Sequence, residues 1–197
     1  LIMKKILFLC AVYFGLCCIA FPILTSEVRA NNNILGTNDL DVKKENIVKQ
    51  IKTYDGKGNE IFPYSIDELK SMLTLEEEIM NEPRLSTLYK VYKTGAFSFS
   101  YNVWIGKGNI GQAFKNPRTL LITPQGVAKK MTISVAFDKN GTVGSRVKKV
   151  TLPGGWSGEM HYNMTDLKRG KKYRFQLVNG KSDEKTIKMK NASIWYD

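Results

Sequence analysis

The chain of 197 residues holds one histidine and three cysteines, so its side-chain chemistry is narrow. Cys10, Cys17 and Cys18 lie together near the start, in a segment that reads as removable. His161 is then left without a thiol partner. A Cys–His nucleophile and a multi-histidine zinc site are both excluded. A Ser–His–Asp relay would have to use His161, yet no serine stands in a Gly-x-Ser-x-Gly turn. Alternation in a strand over Trp156–Met164 sets Trp156, Gly158, Met160 and Tyr162 on one side and turns His161 to solvent. A carboxylate pair for glycoside hydrolysis is a spatial matter. In the C-terminal half it would draw on Asp138, Glu159, Asp166, Asp183, Glu184 and Asp197.

Two short motifs invite a ligand and fail on context. Gly106-Lys-Gly108-Asn-Ile-Gly111 spells a dinucleotide fingerprint, which needs a following helix to receive the pyrophosphate. Pro117 comes too soon for that helix, so no dinucleotide is expected and the stretch reads as a loop. Asp55, Lys57 and Asn59 place a lysine where a calcium ligand belongs, and Glu60 stands at the glycine position. No metal or cofactor is expected.

Basic residues interleaved with aromatics remain. Arg146, Lys148 and Lys149 precede Trp156, and Lys168, Arg169, Lys171, Lys172 and Arg174 surround Tyr173. These nine residues, Trp156 included, are the candidate binding set. Charge is uneven: residues 31–112 hold 10 Lys/Arg and 11 Asp/Glu, whereas residues 113–197 hold 17 and 6, a net of +11. Such a field attracts polyanions. Lysines offer point charges to phosphates and exposed aromatics can stack on bases or sugar faces. Solvated strand faces would also carry lysines, as Lys188 and Lys190 do beside Ile187 and Met189.

The first thirty residues supply an address. Lys4 and Lys5 precede an apolar run over Ile6–Leu24, and Val28-Arg29-Ala30 ends it with a small residue. This is the pattern of a secretory signal peptide cleaved near Ala30. A retained anchor is the alternative, because the run approaches the ~20 residues that span a bilayer. A Lys-rich, Cys-free exported domain suggests a bacterium with a single membrane. The remaining chain is long enough to bury ~70% of its unfolded surface without staples.

The elements that would position these residues are short and mostly extended. Residues 31–46 are polar and read as a flexible leader. Residues 47–85 read as a small α+β portion. It comprises strands at Ile47–Tyr54 and Glu60–Tyr64, then a helix to Met80 opened by the capping box Ser65-Ile-Asp-Glu68. Residues 86–197 alternate with period two. Strands are expected at Leu88–Lys93, Ala96–Ile105, Thr119–Thr123, Met131–Asp138, Val143–Leu152, Trp156–Met164, Tyr173–Val178, Lys185–Lys190 and Ser193–Tyr196. Asn140-Gly141 tolerates the positive φ of a tight hairpin. Strands at this spacing predict a mainly β protein built as an antiparallel β-sandwich, preceded by the small α+β portion.

One segment carries a resemblance. Leu167-Lys-Arg-Gly170-Lys-Lys-Tyr173-Arg-Phe175-Gln-Leu177 resembles the tyrosine corner of fibronectin type III and immunoglobulin-like sandwiches. The resemblance implies that Tyr173 bonds back to the preceding loop, with Tyr173, Phe175 and Leu177 inward and Arg174 and Gln176 outward.

The function expected is that of a secreted, non-enzymatic, monomeric binding protein. Its partner would be an anionic cell-wall polymer, lipid headgroups, an acidic polysaccharide or extracellular nucleic acid. A membrane-acting toxin or bacteriocin-like effector and an envelope polysaccharide hydrolase are the alternatives.

Overall fold

The computed structural model describes residues 32–81, 89–180 and 186–197. Residues 1–31, on which the expected signal peptide falls, residues 82–88 and residues 181–185, with the acidic pair Asp183–Glu184, lie outside the described residues. Residues 36–197 form one compact unit, mainly antiparallel β.

The elements run in order as α1 (Asn32–Val48), β1 (Lys52–Asp55), β2 (Glu60–Ile61), α2 (Ile66–Met72) and β3 (Leu73–Leu75), then a 3-10 helix over Glu76–Asn81. They continue with β4 (Lys90–Lys93), β5 (Phe97–Phe99), β6 (Asn102–Trp104), β7 (Phe114–Lys115), β8 (Thr119–Pro124) and β9 (Met131–Lys139). The chain ends on β10 (Thr142–Leu152), β11 (Gly158–Asn163), β12 (Lys172–Asn179) and β13 (Ile187–Tyr196). A larger sheet has the order β2-β1-β10-β9-β12-β6, with β7 also on β12. A smaller sheet has the order β3-β11-β8-β13-β4, with β5 also on β13. Val135, Val150, Phe175 and Leu177 of the larger sheet share one buried cluster with Leu120, Met160 and Ile194 of the smaller. Alternating apolar residues on each strand make this core, as burial of one face per sheet requires.

Several expectations change against this frame. Residues 31–46 are not a bare leader: α1 covers them from Asn32 onward. Its end buries Ile47 and Val48, and Lys43 and Lys44 pair with Glu77 and Glu78. The portion 47–85 is not separate either, since β1 and β2 extend the larger sheet and β3 pairs with β11. The capping box forms as expected, with Glu68 N donating to Ser65 Oγ at 3.2 Å and Ser65 N to Glu68 Oε2 at 2.7 Å. The helix, however, stops at Met72. Leu73 and Leu75 are fully buried as alternate residues of a strand, so tertiary pairing overrides their helical spacing.

The strand expected over Ala96–Ile105 is two strands in two sheets. β5 lies on β13 and β6 on β12. Asn179 holds the crossing, its N–H bonding Tyr101 O at 2.8 Å and its Nδ2 bonding Ser100 O at 2.9 Å. Conversely, the two strands expected over Lys185–Lys190 and Ser193–Tyr196 are one, of which residues from 187 are described. A register shift between Met189 and Asn191 moves the inward set from Ile187 and Met189 to Ala192 and Ile194, as a bulge does. Asn140 and Gly141 both take positive φ at the β9–β10 turn.

Candidate functional site

Direct pairing across the larger sheet aligns one outward row. Glu60 faces Tyr54, Tyr54 faces Lys149, Lys149 faces Ser134, Ser134 faces Gln176, and Gln176 faces Trp104. Residues directly opposite share a face, so the row crosses six strands, about 24 Å at ~4.8 Å per strand. Trp104 and Tyr54 are half-buried, and Lys149 is exposed. Gln176 Nε2 donates to Asn102 Oδ1 at 2.9 Å. Arg146, exposed, sends Nη1 to Ser134 Oγ. Further along β12 on the same face, Lys172 stands directly opposite Lys115. Like charges in that position repel, which makes the pair a receptive place for an anion.

The structure divides the nine expected binding residues. Arg146, Lys149, Lys168, Lys171 and Lys172 are exposed. Arg169 is exposed but tied: Nη2 meets Asp197 Oδ2 at 2.7 Å, and Nη1 donates to Asn116 O at 3.0 Å. Arg118 joins the same carboxylate at 3.0 Å, and its hydrogen bond leads the causes that hold Asp197 below the ordinary carboxylate range.

Three residues of that set belong to the interior. Trp156 is 0% exposed and its indole N–H donates to Pro153 O at 2.9 Å. Arg174 turns outward from the core as expected, yet it is buried under the loop over residues 105–113. Its guanidinium reaches Asp138 Oδ1 at 2.7 Å and the carbonyls of Ile110, Gly111 and Gly141 at 3.0, 2.6 and 2.9 Å. The glycine motif therefore serves this loop. Gly106 and Gly111 both take positive φ, and a Cβ on either would collide with Gln112 or with Ile105 O.

Lys148 shares its strand face with Val150 and Leu152 and is 3% exposed. Its ammonium pairs with Asp166 and donates to Tyr162 Oη at 3.3 Å. It lies 5.7 and 5.4 Å from the ring centroids of Tyr64 and Tyr162, which pack edge to face at 5.7 Å. Tyr64 donates its hydroxyl to Asn163 O. Burial pulls the Lys148 amine below its ordinary value, with Asp166 opposing. Burial also pushes both tyrosine hydroxyls well up. This ion pair ties β10 of the larger sheet to the turn that follows β11 of the smaller, with the ammonium buried.

The remaining chemistry is sparse. On the smaller sheet, His161 Nε2 lies 3.1 Å from Glu159 Oε2, with Trp195 edge-on at 6.5 Å. The described carboxylates Asp138, Glu159, Asp166 and Asp197 of the C-terminal half are each held by a basic group. Asp55 closes its turn, accepting from Lys57 N and Asn59 N at 2.8 and 2.9 Å. Among the described residues no cluster of three His, Cys, Asp or Glu could hold a metal ion, and no helix is long and apolar enough to cross a membrane.

Sequence reasoning did not nominate Asn102, Tyr54 or Gln176 as binding residues. Alternation does place Trp104 and Gln176 outward, but only strand register brings them side by side. No protein-family model, no curated protein and no solved structure matches this chain.

Proposed function

We propose that the protein is an exported, non-enzymatic binding protein that holds an anionic polymer of the cell envelope on the basic outer face of its larger sheet. The observation that carries this reading is the outward display of Arg146, Lys149 and Lys172, with Lys115 opposite Lys172, on one sheet face. Among the described carboxylates of the C-terminal half, Asp138, Asp166 and Asp197 are already paired with Arg174, Lys148, and Arg118 and Arg169. In architecture we read the two sheets as a sandwich of the fibronectin and immunoglobulin kind. Supporting that reading, Tyr173 Oη donates to Lys168 O at 2.7 Å, the bond of a tyrosine corner.

Retention on immobilised anionic wall polymer tests the function. Bound protein should be released as salt rises from about 0.05 to 0.5 M, because contacts between the polymer's anionic groups and exposed basic side chains are screened over ~10 Å or less. Arg146→Glu with Lys149→Glu should lower the salt needed for release. Retention that ignores both salt and these substitutions would overturn the reading.

A further inference from the structure

We infer that the Trp104 end of this row is a subsite for an acidic sugar, so the polymer held is a carboxylate-bearing polysaccharide; this rests on the proposed binding function and makes it specific. The first observation is an orphan. Gln176 is 6% exposed, its Nε2 is satisfied by Asn102, and its Oε1 is buried with no partner. Buried amide oxygens without a partner are rare and costly. A sugar hydroxyl, donor and acceptor at once, completes the amide. In the row the amide lies between buried Ser134 and half-buried Trp104; rotation of the Trp104 side chain would admit that hydroxyl, and rotamer changes of this kind are common on binding.

The neighbours supply the rest of a sugar's recognition. Trp104, half-buried and directly beside Gln176, supplies the aromatic ring type on which the apolar face of a pyranose stacks. Asn102 adds a second, exposed amide. On the other side of Gln176, Lys149 and Arg146 present cations, and a guanidinium fork matches a carboxylate geometrically. Hydroxyls, an apolar ring face and a carboxylate on a single unit meet these groups in that order. A lipid surface would ask for large exposed apolar side chains in the row itself. The exposed ones, Phe62, Tyr101, Ile110 and Val127 among them, are not in the row. A nucleic acid would need phosphate contacts without the amide pair, and it is an outcome of the test.

Titration calorimetry with an oligogalacturonate, a polyphosphate of matched charge and an oligodeoxythymidylate decides the matter. We expect the oligogalacturonate to bind more tightly than either control at equal ionic strength. Trp104→Ala and Gln176→Met should each weaken it by about 10-fold or more, while Gln176→Met melts no lower than the wild type because it removes the orphan. Equal binding of the controls, or variants that leave oligogalacturonate affinity unchanged, overturns the sugar subsite while the polyanion reading stands. Failure to bind any of the three at low salt overturns both.

Discussion

Lys148 shows how much one side chain can depend on its surroundings. Its strand, Thr142–Leu152, carries Arg146, Lys148 and Lys149 within four positions, and composition does not distinguish them. Register and two irregularities between Val143 and Lys148 turn Lys148 inward and leave its neighbours outside. Inside, it is tolerable only because Asp166 and Tyr162 meet it. Asp166→Ala should cost about 3 kcal/mol, since it strands a buried ammonium. The double change Lys148→Met with Asp166→Asn should leave stability equal or higher. Chemical unfolding in urea measures both. The pH dependence has a definite sign. The folded-state lysine loses its proton below its ordinary value of 10.5, so between those two values the unfolded chain binds more protons. Its penalty is full below the folded value and is relieved as pH rises toward 10.5. The loss in Asp166→Ala should therefore shrink in alkaline solution. Burial raises Tyr64 and Tyr162, which works the other way, and their stabilisation fades as pH rises above 10. A loss in Asp166→Ala that is the same at neutral and alkaline pH would contradict the account.

At the scale of elements, local signals were legible where one segment decides its own structure. The capping box at Ser65, the Asn140-Gly141 hairpin and the Tyr173 corner each depend on bonds reached within a few residues. Elements that depend on a partner were not. The helical stripe of Ile66, Leu69, Met72 and Leu73 says nothing of β11, which captures Leu73–Leu75 as a strand. Gly158 marks the capture. It takes φ +123° and a Cβ there would collide with Thr74 O, so only glycine lets β3 approach. Gly158→Ala should therefore cost at least about 3 kcal/mol, and backbone amides of Leu73–Leu75 should lose hydrogen-exchange protection. Gly155 has φ +87° and open space around it. Gly155→Ala should cost only the ~1–2 kcal/mol of a left-handed backbone. Equal costs at the two positions would show that close approach of β3 plays no part.

At the scale of the molecule, the uneven charge becomes a stability effect as well as a binding one. Residues 113–197 carry a net +11, the described cations standing on strands of both sheets and on the loops between them, and charge of one sign opposes compaction. Raising salt from about 0.01 to 0.3 M should lift the melting temperature on the order of a few °C, with sodium and choline chlorides acting alike. A melting temperature that falls with salt would mean that the ion pairs outweigh the self-repulsion. Order along the chain sufficed for the mainly antiparallel β character, the turns, the narrow chemistry of a single histidine and the excess of positive charge. These follow from local periodicity and from counting, which need no partner strand. Only the tertiary structure decided which cations face solvent, that β5 and β6 part company at Ser100–Tyr101, and that Trp104 lies beside Gln176. Those are matters of register between residues far apart in the chain, and a shift of one residue would have exchanged the two faces.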